Sequence, residues 1–264
     1  MTSEPVLYDV DGGIARITLN RPDAMNALDL ATKESLKAAV ERAATDDAAR
    51  VVVIAGTGRA FCVGQDLKEH ITNLQSKPLA EVWATVPEHY APIASGIAAM
   101  PKPVVAAVNG VAAGAGASLA FACDFRVVAD TAGFNLAFTG IALSCDTGIS
   151  WTLPRLVGQA KAAELLMLPR TVSAAEALEL GLATTVAPAD RLEDEVASLA
   201  SALAAGPTVA YAAIRALLDY SATHTLDETL AFEGDKMALT GGTEDHANAV
   251  RSFVAKQKPV FEGR

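Results

Sequence analysis

The sequence predicts an α/β fold built on a mostly parallel sheet, and three observations carry that expectation. Arg50–Ala55 (RVVVIA) and Val104–Val108 (VVAAV) are short apolar runs rich in Val and Ala. Such runs mark strands buried on both faces. Strand-like runs recur along the chain with helical stretches between them, the pattern of a parallel sheet covered by helices. Finally, a turn of small residues, Gly114-Ala115-Gly116-Ala117, connects the second run to the packed helical stretch Ser118–Ala122.

Taken in order, Val6–Val10 and Ile14–Leu19 both alternate around Asp11-Gly12-Gly13, which are hairpin turn residues. Asn20-Arg21-Pro22 ends the second strand. A helix is predicted from Leu30 to Ala44, with Asp29 as its N-cap. After Arg50–Ala55, Gly56–Arg59 turns and leads into Ala60-Phe61-Cys62-Val63-Gly64-Gln65-Asp66-Leu67-Lys68. Residues 69–100 read as helices, looser near Gln75–Pro78. Asn109-Gly110 ends the strand at 104–108, and Phe125–Ala129 is a further strand. Phe134–Leu143 is apolar with small breaks, Ser144–Gly148 is a polar turn, and helix is predicted from Ile149 onward. Helices dominate from Ser173 to Leu203. Gly206-Pro207 marks a boundary, followed by amphipathic helices at Thr208–Tyr220, Leu226–Leu239 and Glu244–Lys256.

Composition bounds the function. The 264 residues suit one large domain or one domain with an appendage, and the chain is 51% hydrophobic but only 5% aromatic. A net charge of −10 argues against nonspecific nucleic-acid binding, which needs a basic face. No run is long and apolar enough to span a bilayer. Met1–Pro5 has neither the basic nor the apolar part of a signal peptide, so a cytoplasmic location is expected. Cys62, Cys123 and Cys145 fit neither a disulfide framework nor a zinc site, and no metal is expected.

The Gly/Ala turn before Ser118 is where chemistry is expected. The first N–H groups of a helix lack partners within it and lie at the positive end of its dipole. Small residues let a ligand reach them. The turn therefore suits an anion or an oxyanion formed during reaction. It departs from known alternatives: Leu119 replaces the third glycine of a dinucleotide fingerprint, and there is no Gly-Lys-Ser/Thr of a phosphate loop. Gly116-Ala117-Ser118-Leu119-Ala120 lacks the last glycine of a hydrolase elbow.

Four ordered stretches resemble the enoyl-CoA hydratase/isomerase (crotonase) superfamily. They are Asn20-Arg21-Pro22…Asn26-Ala27-Leu28, then Ala60–Leu67, then Lys102-Pro103-Val104…Asn109-Gly110…Gly114-Ala115-Gly116…Cys123-Asp124, and the tail Phe253…Lys256–Phe261. The resemblance implies a crotonase-like spiral of ββα units at residues 1–205 and a C-terminal helical oligomerisation region at 206–264, assembled as a trimer or hexamer. It implies an acyl-CoA substrate whose thioester carbonyl is held by the backbone N–H groups of Gln65 and Ala115. Asn26, Ala27, Asp66, Leu67 and Lys68 would lie along the CoA with them, and Phe253 and Lys256 would help from the tail. Coenzyme A then enters as part of the substrate and no other cofactor is expected.

The hydratase branch uses two carboxylates. At the matching positions this chain has Ser118 and Phe138, and neither can serve as a base. Asp146 is the one acidic residue between Thr131 and Lys161, and the isomerase branch, which includes ring-opening isomerases of phenylacetyl-CoA breakdown, has a lone acid there. By spacing alone Asp146-Thr147 also suits a helix N-cap. The sequence thus favours a double-bond isomerase using a single base. Hydration, a dehalogenase-like attack by Asp146 on an aryl-CoA, a silent acyl-CoA-binding protein, and a serine hydrolase through Ser118 with His224 or His246 are the alternatives. His70 and His89, like those two, share no metal-binding spacing.

Overall fold

A computed structural model describes residues 4–264; most of the N-terminal segment Met1–Pro5 lies outside the described residues. Strands β1 (Val6–Asp11) and β2 (Ile14–Leu19) form the expected antiparallel hairpin, turning through Gly12 and Gly13. Helix α1 (Leu30–Thr45) begins where Asp29 accepts a hydrogen bond from the Thr32 N–H. Next come β3 (Val51–Gly56), β4 (Ala60–Cys62), α2 (Leu67–Ser76) and α3 (Leu79–Trp83). A π-helical turn at Val86–Tyr90 runs directly into α4 (Ala91–Ala98). The centre of the chain is β5 (Val104–Val108), β6 (Val111–Ala113) and α5 (Ala115–Ala122). Then follow β7 (Phe125–Ala129), β8 (Gly133–Asn135), α6 (Ile149–Val157) and α7 (Gln159–Met167). After β9 (Thr171–Ser173), α8 (Ala174–Glu179) and β10 (Thr185–Ala187), the chain is helical: α9 (Leu192–Ala204), α10 (Thr208–Ser221), α11 (Leu226–Gly241) and α12 (Glu244–Val254).

The strands build two sheets. One has the order β1-β2-β3-β5-β7-β10, parallel except for the first hairpin; the other has the order β4-β6-β8-β9, parallel except for β8 with β9. Three consecutive units, β3-β4-α2, β5-β6-α5 and β7-β8-α6, each send one strand to each sheet before a helix. This is the expected spiral of ββα units. The buried runs Val51–Ala55 and Val104–Val108 lie in the middle of the first sheet, where both faces are covered. Residues 173–203 hold more than the expected helices, because β10 adds a strand beside β7. Its three residues are too few to show a period of two.

Two arginines tie the C-terminal helices to this core. Arg215 of α10 grips the Asp124 carboxylate at 2.8 Å and also donates to the carbonyls of Met100 and Ile97. Asp124 in turn accepts from the Val104 N–H at the start of β5. Arg50 reaches the turn between α9 and α10, donating to the carbonyls of Gly206 and Phe261 and to Thr208 Oγ1. No single helix among the described residues is long and apolar enough to cross a membrane.

Candidate active site

The two amides singled out by the sequence are presented by neighbouring ββα units. At the first, the Leu28 N–H donates to the Gly64 carbonyl (2.8 Å), and the Asp66 N–H donates to the Leu28 carbonyl (3.1 Å). In a trans peptide the C=O and N–H point to opposite sides. With the Gly64 carbonyl turned to Leu28, the Gln65 N–H of the same peptide faces away from it. At the second, the Gly114 carbonyl accepts from the Ser118 N–H (3.1 Å) as the first acceptor of α5. The Ala115 N–H therefore points out of the helix end. Helix α5 starts at Ala115, within the small-residue turn rather than after it.

Glycines let the two presenting segments touch. Gly64 has φ +81°, a left-handed backbone, and a Cβ there would lie 2.9 Å from the Ala113 carbonyl oxygen and 3.1 Å from the Ala115 nitrogen. A Cβ on Gly116 would overlap the Cys62 carbonyl, so α5 can lie directly on β4 only with glycine at that position.

Gln65 and Ala115 line one small cavity, about 150 Å³, together with Asp146. Val63, Leu67, Phe138, Ile141 and Leu143 complete most of its apolar wall. Burial pushes the Asp146 carboxyl above its ordinary value, opposed by the Thr147 hydroxyl and the Lys33 charge. The Thr147 hydroxyl donates to Asp146 Oδ1 at 2.8 Å. Thr147 is buried and holds φ +53°, a costly backbone for a β-branched residue. Strain of this kind persists where the surroundings demand it, and it gathers at functional sites. The cap reading of Asp146 fails. Helix α6 is capped by Gly148 without a side-chain bond, and Asp146 gives it only a backbone carbonyl, which accepts from the Ile149 N–H (3.2 Å). The carboxylate is left for the cavity.

The other sequence candidates divide. Ser118 is fully buried and its hydroxyl donates to the Gly114 carbonyl (3.1 Å), so it braces the helix, and no histidine is among its partners. His224 stacks on Tyr220, and His246 lies at the start of α12, beside a different cavity. Asp66 caps α2 through the Lys68 and Glu69 N–H groups and meets Arg21 at 3.1 Å. Burial alone would raise its carboxyl. The Glu69 N–H, the Arg21 guanidinium and the Lys68 N–H outweigh burial and hold it below the usual range. The Asn26 side chain is wholly buried and spent on Arg21, Thr57 and Ala60, and its backbone N–H donates to the Arg21 carbonyl (2.9 Å). Ala27 is buried beside it, and its carbonyl accepts from Arg21. Lys68 is exposed at the start of α2. Phe253 and Lys256 are exposed and are not part of the cavity wall.

Comparison with known proteins decides the family. The sequence profile of the enoyl-CoA hydratase/isomerase family matches residues 9–264. The chain belongs to the enoyl-CoA hydratase/isomerase family. It is 36% identical over 261 residues to the 1,2-epoxyphenylacetyl-CoA isomerase of Escherichia coli, covering 99% of each chain. It is 38% identical over 267 residues to a protein of Rhodobacter capsulatus named "Probable enoyl-CoA hydratase", covering 100% of each. The crystal structure of an enoyl-CoA hydratase from Bacillus anthracis superposes with a TM-score of 0.92 at 30% identity, over 98% of this chain and 100% of that one. The family thus contains both isomerases and hydratases among this chain's relatives.

One cluster beside the Gln65 segment escaped sequence reading. Lys33, 3% exposed, reaches Thr85 Oγ1 at 2.8 Å, Gln65 Oε1 at 3.3 Å and Glu69 Oε2 at 3.7 Å. Tyr90, 1% exposed, donates to Gln65 Oε1 at 2.5 Å. A signal existed: Lys33 stands in helical register with Leu36 and Val40, and Tyr90 with Ile93 and Ile97, all of them core positions.

Proposed function

We propose that the chain shifts a double bond in an enoyl-CoA by a single-base proton shuttle. The thioester oxygen sits on the N–H groups of Gln65 and Ala115. Those donors stabilise the charge that develops on the oxygen when the carbon next to the thioester loses a proton. With a 3-enoyl-CoA, Asp146 takes a proton from C2 and the electrons spread over a dienolate. Asp146 then returns a proton to C4, giving the 2-enoyl-CoA. One proton moves, nothing is added or lost, and CoA is carried through as part of the substrate.

The observation that carries this reading is Asp146: a carboxylate set in an apolar wall, raised by burial, free of capping duty, and on the same cavity as two outward-facing amides. A base for a carbon acid works best with a raised affinity for protons. The relative named as an epoxyphenylacetyl-CoA isomerase supports the isomerase reading as well. Hydration needs a second acid to manage water, and Ser118 and Phe138 stand where the hydratase branch has carboxylates.

The reading extends to assembly. Phe253, Val254, Met237 and Leu218 are 84%, 78%, 73% and 69% exposed on the C-terminal helices. Residues 206–264 form the oligomerisation region of a homotrimer or hexamer, in which Phe253 and Lys256 help hold CoA beside a neighbouring subunit, and Lys68 meets its phosphates.

The test is a pair of assays on the wild-type protein. With 3-hexenoyl-CoA, the conjugated enoyl-thioester absorbance should grow; with crotonyl-CoA, its loss should be at least about 100-fold slower. Hydration of crotonyl-CoA at an ordinary enzyme rate, about 10 per second, with no isomerisation would overturn the proposal.

A further inference from the structure

We propose that Tyr90 and Lys33 are positioning residues that fix the Gly64–Gln65 peptide, and with it the Gln65 N–H, by clamping the Gln65 side chain. The inference rests on the reading that the thioester oxygen is held by that N–H.

The backbone pins the peptides on either side, the Asp66 N–H to the Leu28 carbonyl and the Gly64 N–H to Cys62 Sγ, but gives the Gly64–Gln65 peptide itself a single bond. One hydrogen bond, from the Leu28 N–H to the Gly64 carbonyl, fixes its far side. Gly64, at φ +81°, precedes it and has no side chain to limit rotation. The Gln65 side chain therefore supplies the remaining hold, and its carboxamide is engaged on both ends. Oε1 accepts from Tyr90 Oη at 2.5 Å and from Lys33 Nζ at 3.3 Å. Nε2 faces Glu69 Oε2 at 3.4 Å. Both donors to Oε1 are almost completely enclosed by protein.

The donors are themselves fixed. Lys33 is anchored by Thr85 Oγ1 and the Glu69 carboxylate. Tyr90 ends the π-helical turn Val86–Tyr90, and such turns insert one residue and re-aim the side chains around them. A buried ammonium on the core face of α1 is costly unless it is paired and hydrogen-bonded. An apolar residue would serve packing there better. What the Lys33 position secures in return is a fixed Gln65.

This arrangement explains why a glutamine occupies a position whose backbone alone meets the substrate. The side chain ties the peptide to α1 through Lys33 and to the helical segment 86–98 through Tyr90. Displacing a donor by about 1 Å can cost on the order of 100-fold in rate.

The experiment reads the donor directly. Acyl-CoA carrying a 13C-labelled thioester carbonyl is bound to wild type, Tyr90→Phe and Lys33→Met, and the carbonyl stretch is recorded by isotope-edited infrared spectroscopy. Turnover of 3-hexenoyl-CoA is measured in parallel. In wild type the bound carbonyl should absorb at lower frequency than the free thioester. If wild type binds but shows no such shift, the amide-pair reading falls and this inference falls with it. Given the wild-type shift, Tyr90→Phe should lose about half of it or more, with kcat down about 10-fold or more and KM within about threefold. Tyr90→Phe removes one oxygen and keeps the ring in the core; Lys33→Met keeps the buried stem. Gln65→Leu guards against a purely structural effect: combined with Tyr90→Phe, it should cost no more than Gln65→Leu alone. A wild-type carbonyl shift retained in both single variants with kcat within about twofold, or losses that add in the double variant, would overturn the clamp while leaving the amide-pair reading intact.

Discussion

Gly64→Ala places a methyl group where the two amide-bearing segments meet. The left-handed backbone, φ +81°, costs an L-residue about 1–2 kcal/mol. The new Cβ would also stand 2.9 Å from the Ala113 carbonyl oxygen and 3.1 Å from the Ala115 nitrogen. Both neighbours are backbone. Neither can step aside easily, because Gly114 is bonded to the Asn135 carbonyl (3.0 Å) and α5 starts at Ala115. Overpacking of this kind costs about 1–3 kcal/mol, so the total is about 2–5 kcal/mol. For a chain of this size each kcal/mol lowers the melting temperature by about 2–4 °C. The functional effect is larger in proportion. Relief comes by spreading Gln65 and Ala115 apart, and loss of one oxyanion donor typically costs 100- to 1,000-fold in kcat, about 3–4 kcal/mol. Thermal unfolding and 3-hexenoyl-CoA turnover, measured on the same preparation, read both effects. A variant with wild-type melting and kcat within about threefold would refute the argument that Gly64 sets the spacing of the amides.

Two further outcomes are expected. Burial raises the Asp146 carboxyl above its ordinary value near 3.8, so the folded chain holds that proton more tightly than the unfolded one; the linked stability is full below that ordinary value and is lost as pH rises through the folded one. Asp146→Asn should therefore melt higher than wild type at pH 7, with the gain shrinking toward pH 4, whereas an unchanged difference across that range would mean that the carboxylate is not desolvated. Light scattering should give a trimer or a hexamer at micromolar concentration, and Phe253→Asp should shift it toward monomer; a wild-type monomer would show that the exposed apolar face of residues 206–264 is not an assembly surface.

Much of the fold was legible because burial on both faces leaves an unmistakable pattern. Arg50–Ala55 and Val104–Val108 read as buried strands, and the strands Val51–Gly56 and Val104–Val108 lie in the middle of the first sheet. Asp29 read as a cap and caps α1. The second sheet was harder to see, since β4, β6, β8 and β9 have three residues each and their pairing is entirely long-range. At the site, Gln65, Ala115 and Asp146 could be picked from the ordered motifs, and all three line one cavity. The choice between cap and free carboxylate for Asp146 could not be made from spacing. It depends on Gly148 ending the turn with φ +76° and on the buried Thr147 beside Asp146. The Lys33–Tyr90–Gln65 contact joins three segments distant in sequence. Only the register of Lys33 and Tyr90 with core residues hinted that they point inward.

In the proposed reaction one carboxylate, Asp146, moves the proton. The most direct test is the rate at which Asp146→Asn converts 3-hexenoyl-CoA to the conjugated isomer, with acyl-CoA affinity measured alongside. Asn preserves the shape of the side chain but cannot accept a proton. A fall of about 100- to 10,000-fold in kcat is expected, with affinity within a few-fold of wild type. A variant that kept most of the wild-type rate would contradict it.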